Sequence, residues 1–109
     1  MLNYKKIISR LLDQNIYILS NDDKEAIIID PGLGFDLIDR YLKSENLSPI
    51  AVLATHAHID HIASANDCIK NYNIPFYICR GNSIMLDHYD IMKGYMNVDS
   101  EKPEVSHWI

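Results

Sequence analysis

The sequence is short of basic residues and of long apolar runs, and each shortage excludes a class of protein. Lysine and arginine number 10 against 15 aspartates and glutamates, which gives a formal net charge of −5. Sequence-independent nucleic-acid binding and adsorption to anionic membranes both need a basic surface, so we expect neither. Apolar stretches such as 26–29 are far too short to span a bilayer.

Cysteine is also scarce, since Cys68 and Cys79 are the only two. Two cysteines in a chain without an export signal stay reduced more often than they form a disulfide. The first residues carry no basic region followed by an apolar segment, so we expect no signal peptide. These features predict a cytoplasmic protein with free thiols.

What is present is an alternation of strand-like and helix-like segments. Hydrophobic residues make up 48% of the 109 residues, which is enough for one small domain with its own core. Apolar periodicity predicts an α/β fold in which helices cover a sheet. The predicted strands are 5–9, 16–20, 25–30, 50–54 and 76–79, with 16–20 and 25–30 forming a hairpin. The predicted helices are 35–44, 61–72 and 84–92.

Three of the five histidines lie within six residues and have an aspartate among them. His56 and His58 alternate, so their imidazoles point the same way in an extended segment. Asp60 and His61 follow where the chain turns into a helix. The cluster comes directly after the apolar run 50–54, which reads as a strand covered on both faces. In open α/β sheets, ligands collect at the carboxyl ends of strands.

This residue composition predicts a metal site. Imidazole nitrogen and carboxylate oxygen bind Zn²⁺ at roughly 2.0–2.2 Å. Iron or manganese accepts the same mixture, so the sequence favours zinc without fixing the metal. The alternative is a solvated loop, but four partly buried polar groups need partners and cost stability without a metal.

Asp30 is a candidate supporting residue, because it lies at the carboxyl end of another predicted strand. Its carboxylate would accept a hydrogen bond from a ligand histidine and fix that ring's tautomer. The alternative is plain turn chemistry before Pro31 and Gly32. His88 lies beside Asp87 on a predicted helix and is expected to be an exposed helix residue, whereas His107 has no acidic companion in a local motif. We expect neither to contact metal.

Other reactive side chains receive ordinary interpretations. Cys68 falls inside a predicted helix and is expected to be a small buried residue. Ser64 and Ser83 lack the strand-to-helix elbow of a serine nucleophile, so serine catalysis is not expected. Residues 81–83 are instead expected to cap the helix 84–92.

Residues 55–61, Thr-His-Ala-His-Ile-Asp-His, resemble the His-x-His-x-Asp-His signature of the metallo-β-lactamase superfamily. Asp30-Pro31-Gly32 resembles the upstream aspartate-containing turn of that family. The resemblance spans nearly the whole chain, and it implies the N-terminal half of an αββα sandwich, with a mixed sheet covered by helices. Residues 1–109 would then form a partial domain that lacks the second half and its metal ligands.

The resemblance also implies roles for the clustered residues. His56 and His58 would help to hold one metal, while Asp60 and His61 would help to hold a second. Asp60 would also orient the attacking water, whose pKa a bound metal lowers to about 7. The implied activity is glyoxalase II-like hydrolysis of a small thioester or ester. Because a metal with too few ligands is weakly held, we expect little activity from the 109 residues alone.

Three other interpretations remain open. A nuclease-type member of the superfamily is disfavoured by the negative charge. A truncated or degenerate product would have no catalysis. A homodimer, or a missing C-terminal half, would complete the site. A lactam-cleaving role is not expected, since such enzymes act outside the cytoplasm and no export signal is visible. The family often carries glycine after the motif, whereas this chain has Ala63 and Ser64.

Overall fold

The computed structural model describes all 109 residues, and its centre is one six-stranded mixed sheet. The strands lie in the sheet in the same order as in the chain. The first two pairings are antiparallel and the last three are parallel. In chain order the strands are β1 (Asn3–Ile8), β2 (Asn15–Ser20), β3 (Glu25–Ile29), β4 (Ser48–Ala54), β5 (Phe76–Ile78) and β6 (His107–Trp108).

Five helices connect or follow these strands. Parallel strands need a crossover connection, and helices supply it between β3, β4 and β5. None of the helices is both long enough and apolar enough to cross a bilayer. In chain order the helices are α1 (Phe35–Ser44), α2 (Ile59–Ile62), α3 (Ala65–Tyr72), α4 (Ser83–Asp87) and α5 (Tyr89–Tyr95).

The predicted hairpin of β2 and β3 is confirmed, and its turn explains why the two strands pair. The side-chain oxygen Oδ1 of Asn21 accepts hydrogen bonds from the backbone N–H groups of Asp23 and Glu25, both at 3.0 Å. Such a bond from an asparagine side chain to its own following backbone stabilises a tight turn. The short connection therefore leaves β3 antiparallel to β2.

The core lies on one face of the sheet, which we call the covered face. Side chains alternate across a strand, so every second residue of β2 and β3 points to this face. Ile16, Ile18, Ala26 and Ile28 are all buried there. The helices complete this core with apolar residues such as Ile38, Leu42, Ile62 and Cys68.

The opposite face, which we call the open face, is apolar but only half-buried. Ile27 and Ile29 of β3 pair with Ala51 and Leu53 of β4 on this side. Ile50 remains 43% exposed. The prediction that strand 50–54 is covered on both faces is therefore wrong for this structure, although Val52 and Ala54 are buried.

The predicted helix 61–72 is divided into α2 and α3. The backbone N–H of Ser64 donates to the carbonyl oxygen of Gly32 at 2.5 Å, and its hydroxyl accepts from the N–H of Gly34 at 3.0 Å. These contacts, thirty residues away in the chain, interrupt the helix at Ser64. The predicted helix 84–92 is likewise divided into α4 and α5, at His88.

Both thiols are free, as expected. Cys68 is fully buried, and this burial raises the pKa of its thiol well above the usual range. A thiol held in its neutral form behaves as a small apolar side chain. The structure thus confirms the structural interpretation of Cys68.

Candidate metal centre

The candidate ligands and Asp30 meet at the carboxyl ends of two adjacent strands. β3 and β4 are parallel, and their ladder continues one residue beyond β3, where the N–H of Asp30 donates to the carbonyl oxygen of Leu53 at 2.8 Å. β4 then runs directly into the histidine loop, which we define as residues 55–61. The topology therefore brings Asp30 and the loop together.

The loop presents its imidazoles on one side, as the alternation predicts. His56 and His58 are exposed, whereas Ala57 and Ile59 between and after them are buried. The ring centroid of His56 lies 5.9 Å from that of His58 and 5.1 Å from that of His61. The rings of His58 and His61 are 6.4 Å apart. Three imidazoles thus share one small volume.

Of these ring separations, the one between His56 and His61 is close to that of two imidazoles that bind one transition-metal ion. Two imidazoles that bind one ion at about 2.0–2.1 Å place their ring centroids roughly 5 Å apart. Atom Nε2 of His61 lies 3.7 Å from Oδ2 of Asp60, close to the roughly 3.4 Å between two tetrahedral ligands at that bond length. No three His, Cys, Asp or Glu side chains are yet placed to hold an ion. Coordination therefore requires these side chains to rotate on a backbone that has already gathered them.

Asp30 lies behind the cluster and is almost fully buried. Its Oδ1 accepts a hydrogen bond from the backbone N–H of Thr55, and its Oδ2 accepts one from the Thr55 hydroxyl, both at 2.7 Å. Oδ2 also lies 3.3 Å from Nδ1 of His61. That nitrogen is buried and has no hydrogen-bond partner. A small rotation of the ring would direct Nδ1–H at the carboxylate and leave Nε2 free for a metal.

Thr55 links the same carboxylate to a second imidazole. Because the single hydroxyl proton of Thr55 is donated to Asp30, the hydroxyl oxygen can only accept from Nδ1 of His56, which lies 3.0 Å away. This arrangement favours the tautomer that carries its proton on Nδ1 and leaves Nε2 unprotonated. The sequence did not identify this role of Thr55, although a hydroxyl beside the first histidine was a signal.

Residues 30–34, which we call the aspartate turn, are fastened to the helical side of the loop. The N–H of Gly32 donates to the carbonyl oxygen of His61 at 2.8 Å. The two bonds of Ser64 to Gly32 and Gly34 add to this connection. The Ser64 side chain therefore makes a hydrogen bond that a glycine at this position could not make. Asp30 itself has φ +50°, in the left-handed region that aspartate and asparagine tolerate better than most residues.

Asn82 holds the middle of the loop from the far side. It occupies the N-cap position of α4, as expected, but its side chain makes no capping bond. Its Oδ1 instead accepts from the N–H of Ala57 at 3.2 Å, and its Nδ2 donates to the carbonyl oxygen of Cys79 at 2.8 Å. The predicted cap within residues 81–83 therefore lies at Asn82, but it makes no side-chain capping bond because its oxygen is bound to the loop.

The remaining histidines lie outside the cluster. His88 is exposed, with Nδ1 2.7 Å from the carbonyl oxygen of Ile84 one turn earlier. His107 in β6 stacks on Tyr77, with ring centroids 4.8 Å apart. Neither ring joins His56, His58 and His61 in the cluster.

Comparison with known proteins decides the family. The family model of the metallo-beta-lactamase superfamily matches residues 9–108. The chain belongs to this superfamily. Its motif of three histidines and an aspartate, and its mixed sheet with helices, are therefore features of a metallo-beta-lactamase domain.

Two curated relatives of this chain carry hydrolase names. A probable metallo-hydrolase, YqgX, of Bacillus subtilis (strain 168) is 39% identical over 67 residues, which cover 62% of this chain and 31% of that protein. A hydroxyacylglutathione hydrolase of Buchnera aphidicola subsp. Schizaphis graminum is 43% identical over 65 residues, covering 60% of this chain and 26% of that protein. The matched regions thus span about a third or less of these relatives.

Solved structures confirm the fold. The BLEG-1 B3 metallo-beta-lactamase superposes with a TM-score of 0.83 at 33% identity, covering 98% of this chain and 53% of that one. A di-iron-bound form of TTHA1623 also gives 0.83, at 21% identity, covering 94% of this chain and 52% of that one. This chain therefore corresponds to about half of a metallo-beta-lactamase fold, as the motif resemblance implied.

Proposed function

We propose that the protein is a metal-dependent hydrolase that uses a one- or two-zinc site to activate water and cleave a small thioester or ester. The observation that carries the proposal is the gathering of His56, His58 and His61 in front of one buried carboxylate. The hydrolase names of the two curated relatives support the reaction class.

The residues have separate tasks in this proposal. His56 and His58 would hold one ion, and His61 with Asp60 would hold the second. A bound zinc ion supplies Lewis-acid chemistry, since it lowers the pKa of water to about 7 and stabilises a developing oxyanion. Asp60 would orient the attacking water and accept its proton at a carboxylate oxygen. Asp30 and Thr55 would keep His61 and His56 in the tautomers that leave Nε2 free.

The extent of the chain limits what it can do alone. Because it corresponds to about half of its structural neighbours, we propose that further ligands come from a C-terminal half or from a second copy of the chain. A site with few ligands binds metal weakly. The 109 residues alone should therefore show weak metal uptake and little hydrolysis.

The proposal extends to the metal, the partners and the alternatives. We favour zinc because nitrogen and oxygen donors suit it, with iron or manganese as alternatives. We propose that the protein has no nucleic-acid or membrane partners, on the basis of its charge of −5. A cytoplasmic location stays a prediction. The same charge disfavours a nuclease-type activity. A degenerate fragment would take up no metal, which distinguishes it from the hydrolase.

The test compares two histidine variants of the same chain. His58→Ala should lower zinc affinity more than about 100-fold, because losing a partner behind a ligand already costs 10–100-fold. His88→Ala is the control, since this exposed ring lies outside the cluster. Zinc titration and hydrolysis of a small thioester are measured on both. Equal metal uptake and hydrolysis by His58→Ala and wild type would refute the proposal.

A further inference from the structure

An apolar pocket of about 290 Å³ opens directly beside the candidate ligands. One part of its wall is polar and comes from the histidine loop, through His58 and Asp60. The rest is apolar and comes from the same loop and from two other segments of the chain. Its apolar lining consists of Leu12, Ile59, Met92, Tyr95 and Met96.

The exposure of these side chains is unusual for their size. Leu12, in the connection between β1 and β2, is 68% exposed, and Tyr95 at the end of α5 is 87% exposed. Met92 and Met96 are partly buried and pack against the core. Large apolar residues grouped at the surface, rather than scattered, mark a binding site. Methionine is suited to such a site because its unbranched side chain adapts to different ligands.

The charge of the lining restricts the ligand further. No lysine or arginine lines the pocket, and Asp60 is its one acidic residue. An anionic group seated in the apolar part of the pocket, away from the candidate ligands, would find no basic side chain to balance its charge. A neutral apolar group would instead exchange water for contact with leucine, isoleucine and methionine.

We propose that this pocket receives the neutral, apolar acyl group of the substrate and so directs its carbonyl carbon toward His58 and Asp60. The inference rests on the proposed hydrolase function and names the substrate class for that site. At roughly 30 Å³ for a group the size of a water molecule, a volume of about 290 Å³ holds about ten such groups, which is room enough for an acyl chain of six carbons. Esters and thioesters of short fatty acids or small aryl acids fit this description.

The experiment follows binding without requiring hydrolysis. The probes are neutral primary amides from acetamide to hexanamide, which keep the acyl group but resist cleavage. The chain contains four methionines, and Met92 and Met96 line the pocket while Met85 does not. Methyl NMR of the full 109-residue chain, with and without zinc, should show shifts of Met92 and Met96 only. Affinity should rise by about fourfold for each added methylene.

A matched pair of variants tests whether the apolar lining of the pocket binds the acyl group. Leu12→Asn should weaken hexanamide binding by at least fourfold, while Ile84→Asn should leave it unchanged, because Ile84 is 73% exposed and lies outside the pocket. Both variants should take up zinc as wild type does. Affinity independent of amide length, or a loss of equal size in both variants, would overturn the inference.

The outcomes separate this inference from the proposed function. Length-dependent amide binding without any zinc uptake would keep the pocket and reject the metal-dependent hydrolase. Thioester hydrolysis without any shift of Met92 and Met96 would keep the hydrolase and reject the pocket. Shifts that follow protein dilution instead of amide concentration would mean that a second copy covers this surface, and would also overturn the inference.

Discussion

The aspartate turn and the histidine loop lie side by side, yet their polar groups are used in opposite ways. In the turn, Asp30 and Gly32 direct their polar groups inward, to Thr55, His61 and Ser64. In the loop, Nδ1 of His56 contacts Thr55 and Nδ1 of His61 faces Asp30, while the Nε2 atoms of both rings make no hydrogen bond. The difference shows that the aspartate turn fixes the position of the loop, while the histidine loop presents the nitrogen donors for a metal.

The largest effect should come from the turn, through Gly32→Ala. Gly32 has φ +53°, and an added Cβ would lie 2.7 Å from Oε1 of Gln14 and 2.8 Å from Oγ of Ser9. Left-handed strain and overpacking together should cost about 2–5 kcal/mol of unfolding free energy. Gly94→Ala in α5 is the control, because nothing lies near its added Cβ. Urea denaturation measures the stability of both variants. Equal midpoints would show that the conformation at Gly32 does not require glycine.

The next effect should appear when the carboxylate of the turn loses its charge. Asp30→Asn keeps an oxygen for the N–H of Thr55 but replaces the atom that faces the Thr55 hydroxyl and His61. Zinc affinity should fall by about 10–100-fold, as for other partners behind metal ligands. Calorimetric zinc titration measures this. Wild-type affinity in Asp30→Asn would show that Asp30 only shapes the turn.

A smaller effect should come from the loop's support on the other side. Asn82→Ala leaves the N–H of Ala57 without its partner, which should cost about 1–3 kcal/mol of stability, and the looser loop should bind zinc several-fold more weakly. Asn66→Ala is the matched control, since that side chain donates to Glu101 on the exposed surface. If the two asparagine variants bind zinc equally, the loop does not depend on Asn82.

The smallest effect should come from a hydrogen bond outside both segments. The Tyr72 hydroxyl donates to Asp39 at 2.7 Å and joins α3 to α1. Tyr72→Phe should cost about 0.5–1.5 kcal/mol and leave zinc affinity unchanged. A change in zinc affinity would show that the helices, and not only the two segments, control the site.

The same pair gives a pH dependence with a defined sign. Hydrogen bonds from Lys43 and then Tyr72 hold the pKa of Asp39 below its usual value. The stabilisation is therefore present above pH about 4, the pKa of a free aspartate, and is lost as the pH falls further. Tyr72→Phe should weaken this acid sensitivity in denaturation curves recorded between pH 3 and pH 6.

The sequence predicted what depends on local pattern and missed what depends on distant partners. Helix α1 begins and ends where its periodicity indicated, because its apolar face and flanking turns are local. The break between α2 and α3 arises from Ser64 reaching the turn thirty residues earlier, which no periodicity reveals. In the site, the histidines and their alternation were visible. The roles of Thr55 and Asn82 were not, since each acts through a contact with a residue 25 positions away.

The edge strand β1 affects how molecules of this protein associate at high concentration. β1 pairs only with β2, so its other edge carries backbone groups that another polypeptide could join. Lys5 and Lys6 stand next to each other on this edge, one on each side of the sheet. Charged lysines at such an edge oppose stacking of strands from separate molecules. These two cations thus oppose edge-to-edge pairing at β1 in a protein that also has an apolar open face.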